Sequence, residues 1–516
     1  MEDLTNIFIE GGTIINDDHM FEADILIEDG IIRVGKKVGK GFRPLDQAKC
    51  KIIDAKNKYV MPGGIDTNTH MQYPFMNTVA IDDFFRGTVA AIAGGTTMIM
   101  DFAIPKRGES LLDSFNTWHE WAEGKVCCDY GLHVGVTWWS STVEKEMESL
   151  VSAHGVNSFM SFMAYKSTLM LEDGDLLRVF KKCHDLGAIA MVHAEDGNII
   201  AEMERVLQSD GIKGPEGHEM SRPEQLESDA VNRAIVIAGL VNCPLYIVQV
   251  MSKSAADLIA KECLKGYWAD WINVASGSVV FGETIAAGLG TDGTHYYNKC
   301  WRHAAGHILS PPLRPDPSTP EYLMELLSTG GLQVTGSSNC TFTTEQKAIG
   351  KRDFTKIPNG VNGSEDRLSI VWEKGVMTGK MDPCRFVAVT STNAAKIFNI
   401  YPQKGRIAEG SDADIVIWDP SVERIISAQT HHHASDFNIF EGMRVRGVPM
   451  YVICRGKIVA NRGKLTVVKG WGKYVSMAPY SLLAYMRIEA RDKAASVTKA
   501  ASEKGDQKHI CKSCTY

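Results

Sequence analysis

Largely apolar runs alternate with helical stretches through the long middle of this chain, and two strand-rich ends enclose them. That alternation constrains the fold more than any other feature. Gly187 to His193 and Pro244 to Val250 are runs of this kind, as is the shorter Thr97 to Met100. Apolar strands separated by helical segments argue for a parallel sheet covered on both faces. The ends have a different texture. Ile7–Gly12, Ala23–Ile32, Ala413–Pro420 and Tyr451–Val459 alternate apolar and polar residues in part, with Gly or Asp at the breaks. Two distant strand-rich ends around one middle predict a small β domain assembled from both termini.

At 516 residues the chain can bury a large core and a smaller second domain. A formal net charge of -7 is mild for that length and gives no reason to expect nucleic acid or an anionic membrane as partner. Met1 to Phe8 lack the basic start and apolar run of a secretory signal. No uninterrupted apolar stretch approaches the roughly 18 residues of a bilayer span. The twelve cysteines are scattered, which favours reduced thiols over a disulfide framework. Together these features lead us to expect a soluble, cytoplasmic protein.

Several separate segments are distinctive: Gly94–Ile99, Lys125–Tyr130, Gly214–His218, Ser310–Arg314, Phe354–Gly360 and Gly410–Asp414. With Pro62–His70 they carry a resemblance, from about Ile7 to Gly470, to the dihydropyrimidinases, hydantoinases and collapsin-response-mediator proteins. Their wording is most similar to that of the dihydropyrimidinases. The resemblance implies an α/β fold, a (β/α)8 TIM-like barrel with a small β-sandwich domain built from both termini. The expected divisions are residues 1–60 and 408–470 for the β-sandwich, 61–407 for the barrel and 471–516 for an oligomerisation tail. In such barrels chemistry sits at the C-terminal ends of the strands, where His193 and Gln249 fall.

The family resembled uses two zinc ions bridged by a carbamylated lysine and a hydroxide, held by four imidazoles and a late aspartate. The two cations generate hydroxide at neutral pH and polarise the amide carbonyl. The aspartate carries the proton. Carried over position by position, that set becomes Asn68, His70, Met160, His193, Gln249 and Ser338. Only His70 and His193 keep their ligand type. Met160 cannot be carbamylated, Ser338 cannot act as the general base, and Asn68 and Gln249 each replace an imidazole. With both anionic ligands gone, the charge of two zinc ions would lack compensation. We therefore expect no bound cofactor. The alternative is an active enzyme holding zinc, two per chain.

Tyr165 matches the family tyrosine that donates to a developing oxyanion. Ser310 and Asn359 match positions that hold the edge of a cyclic imide or ureide. A pocket for a pyrimidine-like small molecule can thus persist without the machinery to open the ring. His70 and His193 are expected as hydrogen-bonded pocket histidines, with weak binding of one metal as the alternative. Glu195 and Asp196 are expected as ordinary loop residues. The triplet His431, His432 and His433 is expected to be structural and remote from the barrel mouth. Cys511 and Cys514 form a lone CxxC in the tail, and residues 267–277 look like an insertion. Arg491 to Lys508 is rich in Lys, Ala, Ser and Glu and reads as a short helix with a disordered end.

Three functional readings follow. The first is a catalytically silent homologue acting by binding or assembly. The second is an active cyclic amidohydrolase that opens 5,6-dihydropyrimidine rings. The third is a structural subunit in mixed oligomers with active paralogues. The resemblance implies a homotetramer or such a mixed oligomer.

Overall fold

The computed structural model describes residues 6–34, 50–267 and 278–505. Residues 268–277 of the expected insertion and the Cys511/Cys514 pair lie outside the described residues.

Eight parallel strands form the central sheet in chain order: Gly64–Thr69, Thr96–Ala103, Asp129–Val136, Ser158–Phe162, Ile189–His193, Leu245–Ile247, Val280–Ile285 and Val334–Gly336. A parallel bridge from Thr69 to Asn339 brings the first strand back beside the last, so the sheet nearly closes into a barrel. Every residue of these strands is buried. That is the burial a sheet covered by helices requires.

The local chemistry that sets these elements is visible at their ends. Ser140 accepts hydrogen bonds from the backbone N–H groups of Thr142 and Val143 and starts helix Ser141–His154. Helix Asp173–Leu186 ends at Gly187, whose φ of 70° returns the chain into strand Ile189–His193. Gly187 also lies against the Tyr480 ring, where a Cβ would sit 2.6 Å from it.

The second domain is a nine-stranded mixed sheet drawn from both ends of the chain. Tyr59–Pro62 pairs with Asn6–Ile15 on one side and with Ile415–Ile425 on the other, which splices the two termini together. Ile7, Ile9, Ile25, Ile27, Ile53, Ile415 and Ile453 form its own buried core. At Gly63 the chain passes from this sheet into the first barrel strand. A Cβ there would meet Thr97 Oγ1 at 2.0 Å, so only glycine lets the two elements approach this closely. Lys404 ties the domains further, pairing with Asp129 of the barrel and with Asp412 and Asp414.

The end of the chain corrects one expectation. In place of a short helix beginning near Arg491 there is a 24-residue helix, Leu482–Gly505. Its first turns bury Ala484, Tyr485 and Ile488, spaced to share one face. Tyr485 donates its hydroxyl to the Ala188 carbonyl at 2.6 Å. Tertiary packing of an apolar face starts the helix nine residues before the Lys/Ala-rich stretch.

Candidate functional site at the barrel mouth

One cavity opens where the strands end, and all six positions carried over from the metal centre line it: Asn68, His70, Met160, His193, Gln249 and Ser338. Tyr165, Ser310 and Asn359 line the same cavity. The strands place them. Asn68 lies in Gly64–Thr69, Met160 in Ser158–Phe162 and His193 at the end of Ile189–His193, while Gln249 follows Leu245–Ile247 and Ser338 follows Val334–Gly336. The cavity widens outward past Trp118 and Trp121.

Three of the lining residues hold left-handed backbone conformations that side chains seldom adopt: Tyr165 at φ 62°, Gln249 at 54° and Ser338 at 50°. Strain of this kind persists where the surroundings over-determine it and gathers at functional sites. The substituted pair is mutually satisfied, because Ser338 Oγ donates to Gln249 Oε1 at 2.9 Å.

The two histidines differ. His193 donates from Nε2 to the Ser310 carbonyl at 3.1 Å, which fixes its tautomer and leaves a lone pair on Nδ1. His70 corrects the expectation of a hydrogen-bonded ring. Its Nδ1 is buried without a partner, and the ring stacks on Phe102 at 5.1 Å between centroids. Burial, helped by the neighbouring His193, holds the His70 imidazole down to about 4, so it is neutral at physiological pH. Nδ1 of His193 and Oδ1 of Asn68 are buried without partners as well.

Asn68 is held from below by a residue that sequence reading missed. Glu283 accepts from Asn68 Nδ2 at 2.8 Å, from Thr67 Oγ1 at 2.6 Å and from the Tyr246 hydroxyl at 2.8 Å. Burial raises its carboxyl above the ordinary range. The available signal was a lone acid inside an apolar strand. Glu195 corrects a second expectation, since it is not an ordinary loop residue. It is buried, accepts the Ser310 hydroxyl at 2.6 Å and lies 3.5 Å from His193 Nε2. Asp196 caps helix Gly197–Ser209.

Ser310 therefore spends both its polar groups inside the protein, the carbonyl on His193 and the hydroxyl on Glu195. Burial pushes the Tyr165 phenol up to about 12, and Glu195 adds to the rise. Tyr165 is thus a protonated donor at neutral pH. Cys340, also missed, lines the cavity, and burial pushes its thiol above the ordinary value.

The His431–His433 segment reaches the barrel. His433 pairs with Asp82 at 2.7 Å and His432 with Glu365 at 3.0 Å. None of the three lines the cavity.

A barrel of this topology, with side chains from five strand ends converging on one cavity, defines the amidohydrolase class, and the Amidohydrolase family model matches residues 338–459. Rat dihydropyrimidinase is 56% identical over 504 residues, covering 97% of this chain and 94% of that protein. Human dihydropyrimidinase-related protein 5 is 48% identical over 491 residues, covering 95% of this chain and 84% of that protein. The crystal structure of dihydropyrimidinase from Brevibacillus agri superposes with a TM-score of 0.86 at 39% identity, covering 92% of this chain and 99% of that one. The chain belongs to the dihydropyrimidinase family.

Proposed function

We propose that this chain keeps the family's ring-binding pocket without its hydrolytic centre, and acts by binding a small pyrimidine-like molecule or by assembly. The observation that carries the reading is the convergence of Asn68, Met160, Gln249 and Ser338 on one cavity. A thioether, two amides and a hydroxyl stand where a two-zinc centre needs an anionic bridge, two imidazoles and a carboxylate. Zinc favours nitrogen, thiolate and carboxylate donors, and the cavity offers two imidazoles. Among the described residues, the groups of three or more His, Cys, Asp or Glu able to hold a metal lie elsewhere. This donor set does not fit the two-zinc centre.

What remains suits recognition. The Tyr165 phenol stays protonated and able to donate, and Asn359 offers both a donor and an acceptor. Apolar walls from Phe75, Phe102 and Phe162 match a flat ring. Assembly is supported by exposed apolar side chains on three helices: Val236 and Leu240, Leu264, and Leu482 with Met486. Another copy of this chain or an active paralogue would cover them. Among the described residues no helix is long and apolar enough to cross a membrane.

The test is restoration. A chain carrying Asn68→His, Met160→Lys, Gln249→His and Ser338→Asp should bind two more zinc ions than the native chain, counted by elemental analysis. A folded variant that gains no zinc overturns the assignment of these positions. A second reading, an active hydrolase with a depleted metal site, is favoured by the unpartnered Nδ1 atoms of His70 and His193. It predicts ring opening that His193→Ala abolishes.

A further inference from the structure

We propose that His295, His303 and His307 form a zinc site of their own, outside the barrel-mouth cavity. The 3-10 turn Gly293–Tyr297 carries His295, and helix Trp301–Gly306 carries His303, with His307 one turn later at its cap. One ligand atom from each histidine lies within 4.8 Å of the other two. The ring centroids are 4.2, 4.6 and 4.9 Å apart. None of the three lines the barrel-mouth cavity.

The hydrogen bonds set the rings for metal. His307 Nδ1 is 2.7 Å from the His303 carbonyl, which can only accept, so Nδ1 carries the proton and Nε2 keeps its lone pair. Zinc-bound histidines are oriented in the same manner, one ring nitrogen donating to a carbonyl while the other ligates. His295 Nδ1 and His303 Nε2 face each other at 2.8 Å, so one of two basic atoms must hold a proton there. A cation between them takes both lone pairs once the donor ring shifts its proton to its other nitrogen, so that both imidazoles stay neutral. Zinc–nitrogen bonds of about 2.0–2.1 Å put tetrahedral neighbours about 3.3 Å apart, which lies between the 2.8 Å of the His295–His303 pair and the 4.8 Å that bounds the cluster.

His307 is buried and closes the inner side, with Phe437 against it and against His303. His295 and His303 are half-buried, so a water completes the tetrahedron from outside. Three imidazoles with one open position is a donor set that zinc accepts. Lys347 is the cation facing His307, and its Nζ donates to the Ile308 carbonyl at 3.1 Å. A metal here would anchor the segment that runs on to Ser310, whose carbonyl receives His193.

The experiment uses the full chain stripped by a chelator and titrated calorimetrically with zinc chloride. Cobalt(II) is added in parallel to read tetrahedral geometry from its visible spectrum. One zinc per chain and a tetrahedral cobalt spectrum are expected. His303→Gln and His295→Gln should each weaken binding by at least about 100-fold, whereas His193→Gln should leave it unchanged. Absence of binding, indifference to both His303→Gln and His295→Gln, or loss in His193→Gln would overturn the proposal. Because His193→Gln reports only on the barrel mouth, failure here is separable from failure of the proposed function.

Discussion

Ser338 Oγ donates to Gln249 Oε1 at 2.9 Å, and both residues sit in the left-handed backbone region. In the family resembled, these positions carry the general base and a metal imidazole. Here they form a neutral, self-satisfied pair. Ser338→Ala removes the donor and leaves the Gln249 carbonyl in a mostly buried setting. We expect a loss of about 1 kcal/mol, read as a lower urea midpoint, and no change in zinc content. A midpoint equal to that of the native chain would show that the pair contributes nothing.

His433 and Asp82 form a buried pair at 2.7 Å. Burial alone would lower the imidazole, but the Asp82 carboxylate outweighs it and lifts His433 to about 8. A histidine raised above its unfolded value of about 6.5 contributes stability that is full below that pH and is lost as pH rises through 8. The gap corresponds to about 2 kcal/mol. Unfolding free energies of the native chain and His433→Gln should therefore differ more at pH 6 than at pH 9. Equal differences at both pH values would remove the ion pair from the account.

Lys404 is buried against Asp129, Asp412 and Asp414, which together carry its ammonium well above the ordinary value despite burial. Lys404→Met leaves these carboxylates without their shared cation. The expected cost is about 3–5 kcal/mol, seen as a large fall in unfolding midpoint or as insoluble chain. A variant as stable as the native chain would contradict the role of Lys404 in joining the two domains.

Tyr165 bears on the pocket itself. If the cavity binds a cyclic ureide through the phenol, Tyr165→Phe should weaken dihydrouracil binding roughly fivefold, the worth of about one neutral hydrogen bond. Calorimetry measures it directly. Unchanged affinity would place the ligand elsewhere.

The covered parallel sheet was legible because its strands are apolar runs separated by helices, whereas length and the family resemblance chose the barrel; of the site residues, His193 and Gln249 stand visibly where such runs end. Asn68, Met160, Gln249 and Ser338 were placed through the family resemblance, and they do share one cavity. Interactions were less legible than positions. Glu195 and Glu283 entered the site through contacts with residues 115 and 215 positions away, which no local pattern encodes. His70 stacks on Phe102 instead of finding a hydrogen bond, since the nearest groups around it are aromatic. The closing helix began earlier than composition indicated, because packing of Tyr485 and Ile488 decided its start. The His295 cluster was invisible in sequence, where its members are spaced 8 and 4 apart on two different elements.

The function proposed for this chain rests on a dihydropyrimidinase-family pocket without a hydrolytic centre. The most direct measurement follows 5,6-dihydrouracil ring opening by the chain supplied with zinc, with bound metal counted on the same sample. Using His303→Gln beside the native chain keeps the proposed peripheral zinc out of the count. No turnover above buffer is expected in either protein, and no zinc retained by His303→Gln. Ring opening accompanied by two zinc ions in that variant would contradict it and return the chain to the active hydrolases.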